Sequence, residues 1–360
     1  MKKSSLHFYR LVRLQIIILL SIAYFSPIIL PRLCAQDAVF SQFYASGLYL
    51  NPALASLQPH LVLNTNYRVQ WANINPHTTG QISLIYPFLN KNNPLHYHWG
   101  GMGASVFQDN TSNQNQIKNT GANASFAYNI NLGDLKTNLL CMGIQAGFIQ
   151  QQLNTTNLIW GTQYTQGTNT IDANAELPNI VTQKIYPTFA GGLFWYFANS
   201  NKQEDNSFKM YAGIAGYHLN TPNKSMLSNS NDQLAMHLKA HGGISLPLSP
   251  KLSFSPNFIF AYQQPFRQFN TGAYFSYLIN ESSTGIFART ELILGSWYRW
   301  GDALIVNTGI STNFFSLGFS YDMNRSSLQQ YANTTGAYEI SLGIKIPRGV
   351  QLKHYATPRI

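Results

Sequence analysis

A two-residue rhythm runs through most of this chain, and it limits what the chain can fold into. Leu61, Leu63, Thr65, Tyr67, Val69 and Trp71 share one face of an extended segment, with Asn64, Asn66, Arg68 and Gln70 on the other. Leu140, Met142, Ile144, Ala146 and Phe148 alternate with Cys141, Gly143, Gln145 and Gly147. Phe254, Phe258, Phe260 and Tyr262 alternate with Ser253, Ser255, Asn257 and Gln263, and Ile340, Leu342, Ile344 and Ile346 with Glu339, Ser341, Gly343 and Lys345. Successive side chains of a strand point to opposite faces. Each segment therefore has one apolar face and one polar or glycine-rich face, as a strand between lipid and a lumen requires.

Composition separates this from a water-soluble β-protein. Only 10% of residues are charged, against the ~25% of an ordinary soluble domain, and 14% are aromatic. A soluble surface of this size needs more charge, and the aromatic and aliphatic outer faces and the lack of a repeating blade motif count against a sandwich or propeller. After the first 35 residues no apolar run is long enough to span as a helix, so a closed barrel is the remaining way across a bilayer.

The amino-terminal 35 residues read as an export signal. Lys2, Lys3, Arg10 and Arg13 precede a largely apolar run from Leu14 to Leu30, and the small Ala35 precedes Gln36. An uncleaved membrane helix is the alternative; Pro27 and Pro31 favour cleavage, and the bulky Leu33 before Cys34 argues against lipidation. Removal takes away five basic residues (Lys2, Lys3, Arg10, Arg13, Arg32) and no acid, so the net charge falls from +10 to 18 − 13 = +5. That balance, without basic clusters, gives no footprint for nucleic acid. Cys141 remains as a single cysteine, which excludes an intramolecular disulfide.

Face by face, the pattern predicts an all-β transmembrane antiparallel barrel of about 14 strands, an even number as bacterial single-chain barrels require. The expected cores are 60–71, 78–87, 97–107, 118–131, 138–152, 184–197, 208–220, 234–246, 252–264, 268–279, 286–298, 302–311, 313–322 and 335–346. The expected organisation is a signal peptide over 1–35, a plug-like segment over 36–59, the barrel over 60–347 and a tail over 348–360. With both ends in the periplasm, connections after odd-numbered strands face outward and should be long. The longest, 153–183, 221–233 and 323–334, all obey that parity, while 88–96 and 198–207 are longer than periplasmic turns should be.

The stretch QDAVFSQFYASGLYLNPALAS, followed by YRVQW at 67–71, resembles the opening of the PorP/SprF family of Bacteroidetes outer-membrane proteins. HGGISLPLSPKLSFSPNFIFAYQQPFRQFNTGAYFSY at 241–277, GSWYRWGDALIV at 295–306, FSLGFSYDMNRSSLQQ at 315–330 and GAYEISLGI at 336–344 are similar to its later segments. Tyr338 stands where the family usually has His, and residues 88–235 match in general character alone. The motif residues carried over are Asn51, Pro52, Ala53, Tyr67, Arg68, Gln70, Trp71, Trp297, Tyr298, Arg299, Tyr321, Asp322 and Glu339. The resemblance implies a component of, or neighbour to, the type IX secretion system, which exports proteins bearing a conserved C-terminal domain. It implies a part in the secretion or surface attachment of particular cargo, gliding-motility adhesins included. The partners implied are outer-membrane lipid, other type IX secretion components on the periplasmic side, and cargo with the C-terminal export domain.

Three further expectations come from the residues themselves. Asn51-Pro52-Ala53 is a turn-former ending an aromatic stretch too short to cross a bilayer, which suits a cover or plug for the lumen. Arg68, Arg289, Glu291, Arg299, Asp322, Glu339 and Lys345 fall on the predicted lumen side. There they either brace wall and plug through Arg–carboxylate pairs or form a selectivity filter or docking site. The long outward loop offers Trp160 and Tyr164 as aromatic anchors for a protein partner, against the plainer reading of a solvated loop. The residues give no sign of catalysis or of a cofactor: His96/His98 and His237/His241 lack a sequence neighbour suited to metal and read as solvated polar groups, and no nucleophile elbow or phosphate loop is present. The functional alternatives are a secretion or anchoring component, a plugged transporter for hydrophobic small molecules, and an envelope structural barrel or lipid-modifying enzyme.

Overall fold

In the computed structural model, residues 37–347 are described apart from 73–74, 91–97, 112–115, 134–137, 157, 165–170, 173–179, 199–206, 283–284 and 327–334. The expected signal peptide and C-terminal tail lie outside the described residues. Fourteen strands form one closed barrel in which each pairs antiparallel with its sequence neighbours. They are β1 His60–Gln70, β2 His77–Leu89, β3 His98–Thr111, β4 Ile117–Asn131, β5 Asn138–Leu153, β6 Gln183–Ala198 and β7 Lys209–Tyr217. The series continues with β8 His237–Ser249, β9 Leu252–Gln263, β10 Phe266–Asn280, β11 Thr290–Arg299, β12 Ala303–Ser311, β13 Phe315–Asn324 and β14 Thr335–Pro347. β1 closes on β14 with His60 opposite Pro347 and Arg68 opposite Glu339, so no strand edge is left open.

The faces follow the alternation. Ile144 is 67% exposed while Cys141 on the opposite face of the same strand, unpaired and inward-facing, is fully buried. Ile82, Ile185, Ile214 and Leu294 are likewise exposed on the outside. In water each such side chain would forgo ~1.5–3 kcal/mol of burial; lipid supplies it. Aromatic rings gather at the two rims. Phe88, Trp99 and Tyr128 cluster at one mouth, with Phe88 and Trp99 stacked at 4.9 Å. Phe269, Tyr298 and Trp300 cluster at the other. These are the girdles of a membrane barrel.

Several boundaries differ from those expected, each for a local reason. β1 stops before Trp71, whose φ of 49° turns the chain away, so Trp71 does not continue the outer face. β7 ends at Tyr217, three residues early, because His218 adopts φ 56°. β8 begins at His237 and runs on through Pro247 to Ser249, leaving a two-residue turn to β9. β11 begins at Thr290 rather than 286: the preceding residues fold into a turn in which the Arg289 amide donates to the Ser282 carbonyl and Arg289 has φ 46°. The split near Asn313 is made by Thr312, whose Oγ1 accepts from the amides of Phe314 and Phe315.

The two longest connections, 154–182 and 218–236, leave the same mouth, opposite the one where β1 starts and β14 ends; 199–208, on the other side, is as long as 325–334. Long loops face outward in such barrels, which makes this the outward mouth and the other the periplasmic one.

Residues 37–59 occupy the inside. Three short turns (Phe43–Ala45, Gly47–Leu50 and Pro52–Ser56) fold the strand-poor stretch compactly. Asn51 caps the last of them, its Oδ1 accepting from the Ala53 amide at 3.0 Å with Pro52 in the first position, where a missing N–H costs nothing. Phe43, Leu50, Ala53, Leu54 and Leu57 pack with inward Cys141, Phe194, Trp297 and Ile305 into one core. The core of this protein is therefore the filled lumen. Two wall glycines allow the close approach: a Cβ on Gly143 would fall on the Pro52–Ala53 backbone, and one on Gly192 on the Asn51 side chain.

Candidate functional site

Where the inner segment meets the closing seam, Ser41 is the hub. Arg68 of β1 reaches Asp322 of β13 at 2.8 Å and Glu339 of β14 at 3.6 Å, and Arg299 of β11 reaches Asp322 at 3.1 Å. The Ser41 hydroxyl donates to the Asp322 carboxylate at 2.8 Å and accepts from Arg299 at 2.9 Å and from Arg68. One donor and two acceptor sites are all a hydroxyl has, so Ser41 is saturated. Glu339 accepts from the Ser41 amide at 2.7 Å and from Asn66 at 2.9 Å, and the Gln42 side-chain amide donates to the Glu339 carbonyl at 2.9 Å. Arg68, Asp322 and Glu339 are buried, with two guanidinium groups facing two carboxylates. Asp302, half-exposed, gives Arg299 a further partner at 3.0 Å.

A second anchor lies deeper. Asn51 Nδ2 donates to the carbonyl of Leu193 at 2.9 Å, with that of Ile214 at 3.2 Å and His241 Nε2 at 3.3 Å beside it. Lys239 Nζ donates to the Tyr49 carbonyl at 2.6 Å and sits over the rings of Tyr49 and Tyr217. Trp297 stacks on Tyr44 and donates to Asn257 at 2.6 Å. Tyr44 also hydrogen-bonds Asn307.

The third anchor is at the outward mouth. Asp37 Oδ2 is 2.8 Å from both His218 Nε2 and His237 Nδ1, and its amide donates to Gln263 at 3.1 Å. Burial alone would raise the Asp37 carboxyl, but the charge and hydrogen bond of His218, with those of His237, hold it well below the usual carboxylate range.

The structure thus divides the residues singled out in the sequence. Asn51, Pro52, Ala53, Arg68, Trp297, Arg299, Asp322 and Glu339 converge inside the lumen. Tyr67, Tyr298 and Tyr321 point outward, and Gln70 and Trp71 sit at the end of β1. Arg289 and Glu291 pair with each other at 3.4 Å near the periplasmic mouth, away from the Ser41 hub. Lys345 lies on β14 close to His60, also apart from it. Trp160 and Tyr164 flank a short turn in the long outward loop, Tyr164 being exposed. His237 and His241 are buried on the lumen face, correcting the solvated reading, and His237 gains the acidic partner its own sequence neighbourhood lacks. His98 is buried as well, and His96 lies outside the described residues. Among the described residues no group of three His, Cys, Asp or Glu side chains is arranged to hold a metal. Nothing in the residues themselves pointed to Ser41, Gln42 or Asp37 beyond their place in the opening stretch; Asp322, Glu339 and His218, which engage them, lie far along the chain.

A closed barrel with a lipid-facing exterior and aromatic girdles is the structure of an outer-membrane protein. The family model described as type IX secretion system membrane protein PorP/SprF matches residues 33–344, and the chain belongs to that family. The family is one of secretion membrane proteins rather than enzymes, and membership implies interaction with components of that secretion system. No curated protein matches the chain. Similar solved structures include the Pseudomonas putida toluene transporter TodX, at 9% identity over 84% of this chain and 93% of that one with a TM-score of 0.48. The Ralstonia pickettii toluene transporter TbuX matches at 11% identity over 84% and 92% with a TM-score of 0.47. Identities this low say nothing about what the barrel binds.

Proposed function

We propose that this barrel supports the secretion or cell-surface anchoring of proteins carrying a C-terminal export domain, gliding adhesins among them, by binding other proteins rather than by conducting them. The observation that carries this reading is the filled lumen: residues 37–59 occupy it and are tied to the wall at Asp37, Ser41 and Asn51. A lumen of about fourteen strands holding its own chain leaves no passage for a folded domain. Binding then falls to the two mouths. Outside, the 154–182 loop presents Trp160 and Tyr164; inside, the periplasmic turns meet other secretion components. Residues 1–35 are removed as the leader, residues 37–59 serve as the plug, and the ionic hub braces plug and seam.

Transport of a hydrophobic small molecule is the second reading, and one feature favours it. An apolar pocket of about 870 Å³ is lined by Phe126, Met142, Ile144, Leu193, Ile214 and Leu238. These are outer-face side chains, so the pocket opens to lipid, and behind it the plug lies against Gly143 and Gly192. Quantitative mass spectrometry of the surface and secreted proteome after deleting the gene separates the readings. Loss or mislocalisation of one or a few proteins with the export domain is the expected result. An unchanged proteome contradicts the secretion role and favours transport.

A further inference from the structure

The path of the inner segment has a topological consequence. His60 opens β1 opposite Pro347 at the end of β14, so both lie at the periplasmic mouth. In an antiparallel barrel every odd strand starts there and ends at the other mouth. Tyr217 at the end of β7, His237 at the start of β8 and Gln263 at the end of β9 therefore belong to the outward mouth. Asp37 is held by His218, His237 and Gln263. Residues 37 and 60 thus sit at opposite ends of the barrel.

The anchoring contacts of Ser41, Asn51 and Ser56 lead from one mouth toward the other. Ser41 meets Arg68, Asp322 and Arg299 near the outward ends of β1, β13 and β11. Asn51 meets Leu193, Ile214 and His241 further in. Ser56 accepts from Asn129 near the periplasmic end of β4. The segment is a strap whose ends lie at opposite mouths; midway it loops back, Tyr49 meeting Phe40 with ring centroids 5.5 Å apart, before Asn51 and Ser56 lead to the periplasmic end.

We propose that the strap displays the amino terminus of the mature protein on the outside of the cell, with Asp37 latched between His218 and His237 as its last fixed point. Three features support that orientation. The two longest loops, 154–182 and 218–236, share the mouth at which Asp37 lies, and long loops face outward. The latch is built, since Asp37 is partly buried with its carboxylate and its amide both engaged. The 218–236 loop that supplies His218 adjoins Lys184, which donates to the Ser225 carbonyl at 2.9 Å and so ties that loop to β6. A leader still attached would have to leave through the outward mouth, away from the inner membrane where leaders act. The geometry therefore sets an order: the leader is removed first, and the lumen is filled afterwards.

A cysteine probe reads the orientation directly. Cys141 is buried and Cys34 departs with the leader, so Gln36→Cys introduces a single reactive thiol into the mature chain. A membrane-impermeant maleimide should label Q36C equally on intact and on permeabilised cells. Pro59→Cys, at the other end of the strap, should react after permeabilisation alone. Heat-modifiable migration on a gel reports that each variant has folded. Should Q36C disturb processing, a short epitope inserted between Gln36 and Asp37 and probed with antibody on intact cells serves instead. Reaction at position 36 after permeabilisation alone, or no reaction of the folded barrel at all, overturns the proposal.

Discussion

Ser41 illustrates how much of this fold turns on single side chains. Its hydroxyl lies between two arginines and a carboxylate that come from three strands. The arrangement is charge-balanced, and removing one partner of a buried ion pair typically costs about 3–5 kcal/mol because the other charge is left uncompensated. Arg68→Ala should therefore destabilise the barrel by that order and lower the temperature at which its compact gel form is lost. An unchanged transition would mean that the hub carries no structural load. At Asp37 the sign of the pH dependence is fixed by the direction of its shift. Its carboxyl is lower in the folded protein than in the unfolded chain. The stabilisation is therefore fully present above the ordinary carboxylate value and disappears as pH falls through the lowered folded value. Pepsin, an aspartic protease active in acid, should cut at Phe40 or Phe43 of the detergent-solubilised barrel increasingly over that acidic window, and Asp37→Asn should flatten the rise.

At the scale of elements, period-two alternation was enough to find the strands, because lipid on one face and a packed lumen on the other leave each position a single choice. What the alternation could not reveal was where strands stop. Trp71, His218 and Arg289 all take positive φ without being glycine, and nothing in their neighbours announces it. The inner glycines were legible as a lumen face but not as a seat, since Gly143 meets Pro52–Ala53 only once the barrel has closed. The same holds for the charges: their common face could be read, while the separation of Arg289–Glu291 and Lys345 from the Ser41 hub depends on height along the barrel. The seat gives its own prediction. Gly143→Val puts side-chain atoms where the strap runs, and overpacking of this kind costs about 1–3 kcal/mol. The barrel should still form, with chymotrypsin now cutting within residues 37–57. Continued protection of that stretch would show that the strap does not rest on β5.

For the whole molecule, the lumen that a porin leaves to water is used here as a hydrophobic and ionic core. Phe43, Leu50 and Leu54 pack on Phe194, Trp297 and Ile305 where solvent would otherwise run. The proposed function draws on that exchange, because a barrel occupied by its own chain leaves its surfaces and mouths for contact with partners. The membrane class was legible from alternation, aromatic content and scarcity of charge. The function was not, since those properties are shared by barrels of many kinds; it rests on membership of a secretion family together with the filled lumen. Conductance of the purified protein in planar lipid bilayers tests that central claim most directly. The wild-type barrel should show no steady ion current, and a variant lacking residues 37–57 should pass one. A steady open-pore current through the wild-type protein would contradict the account.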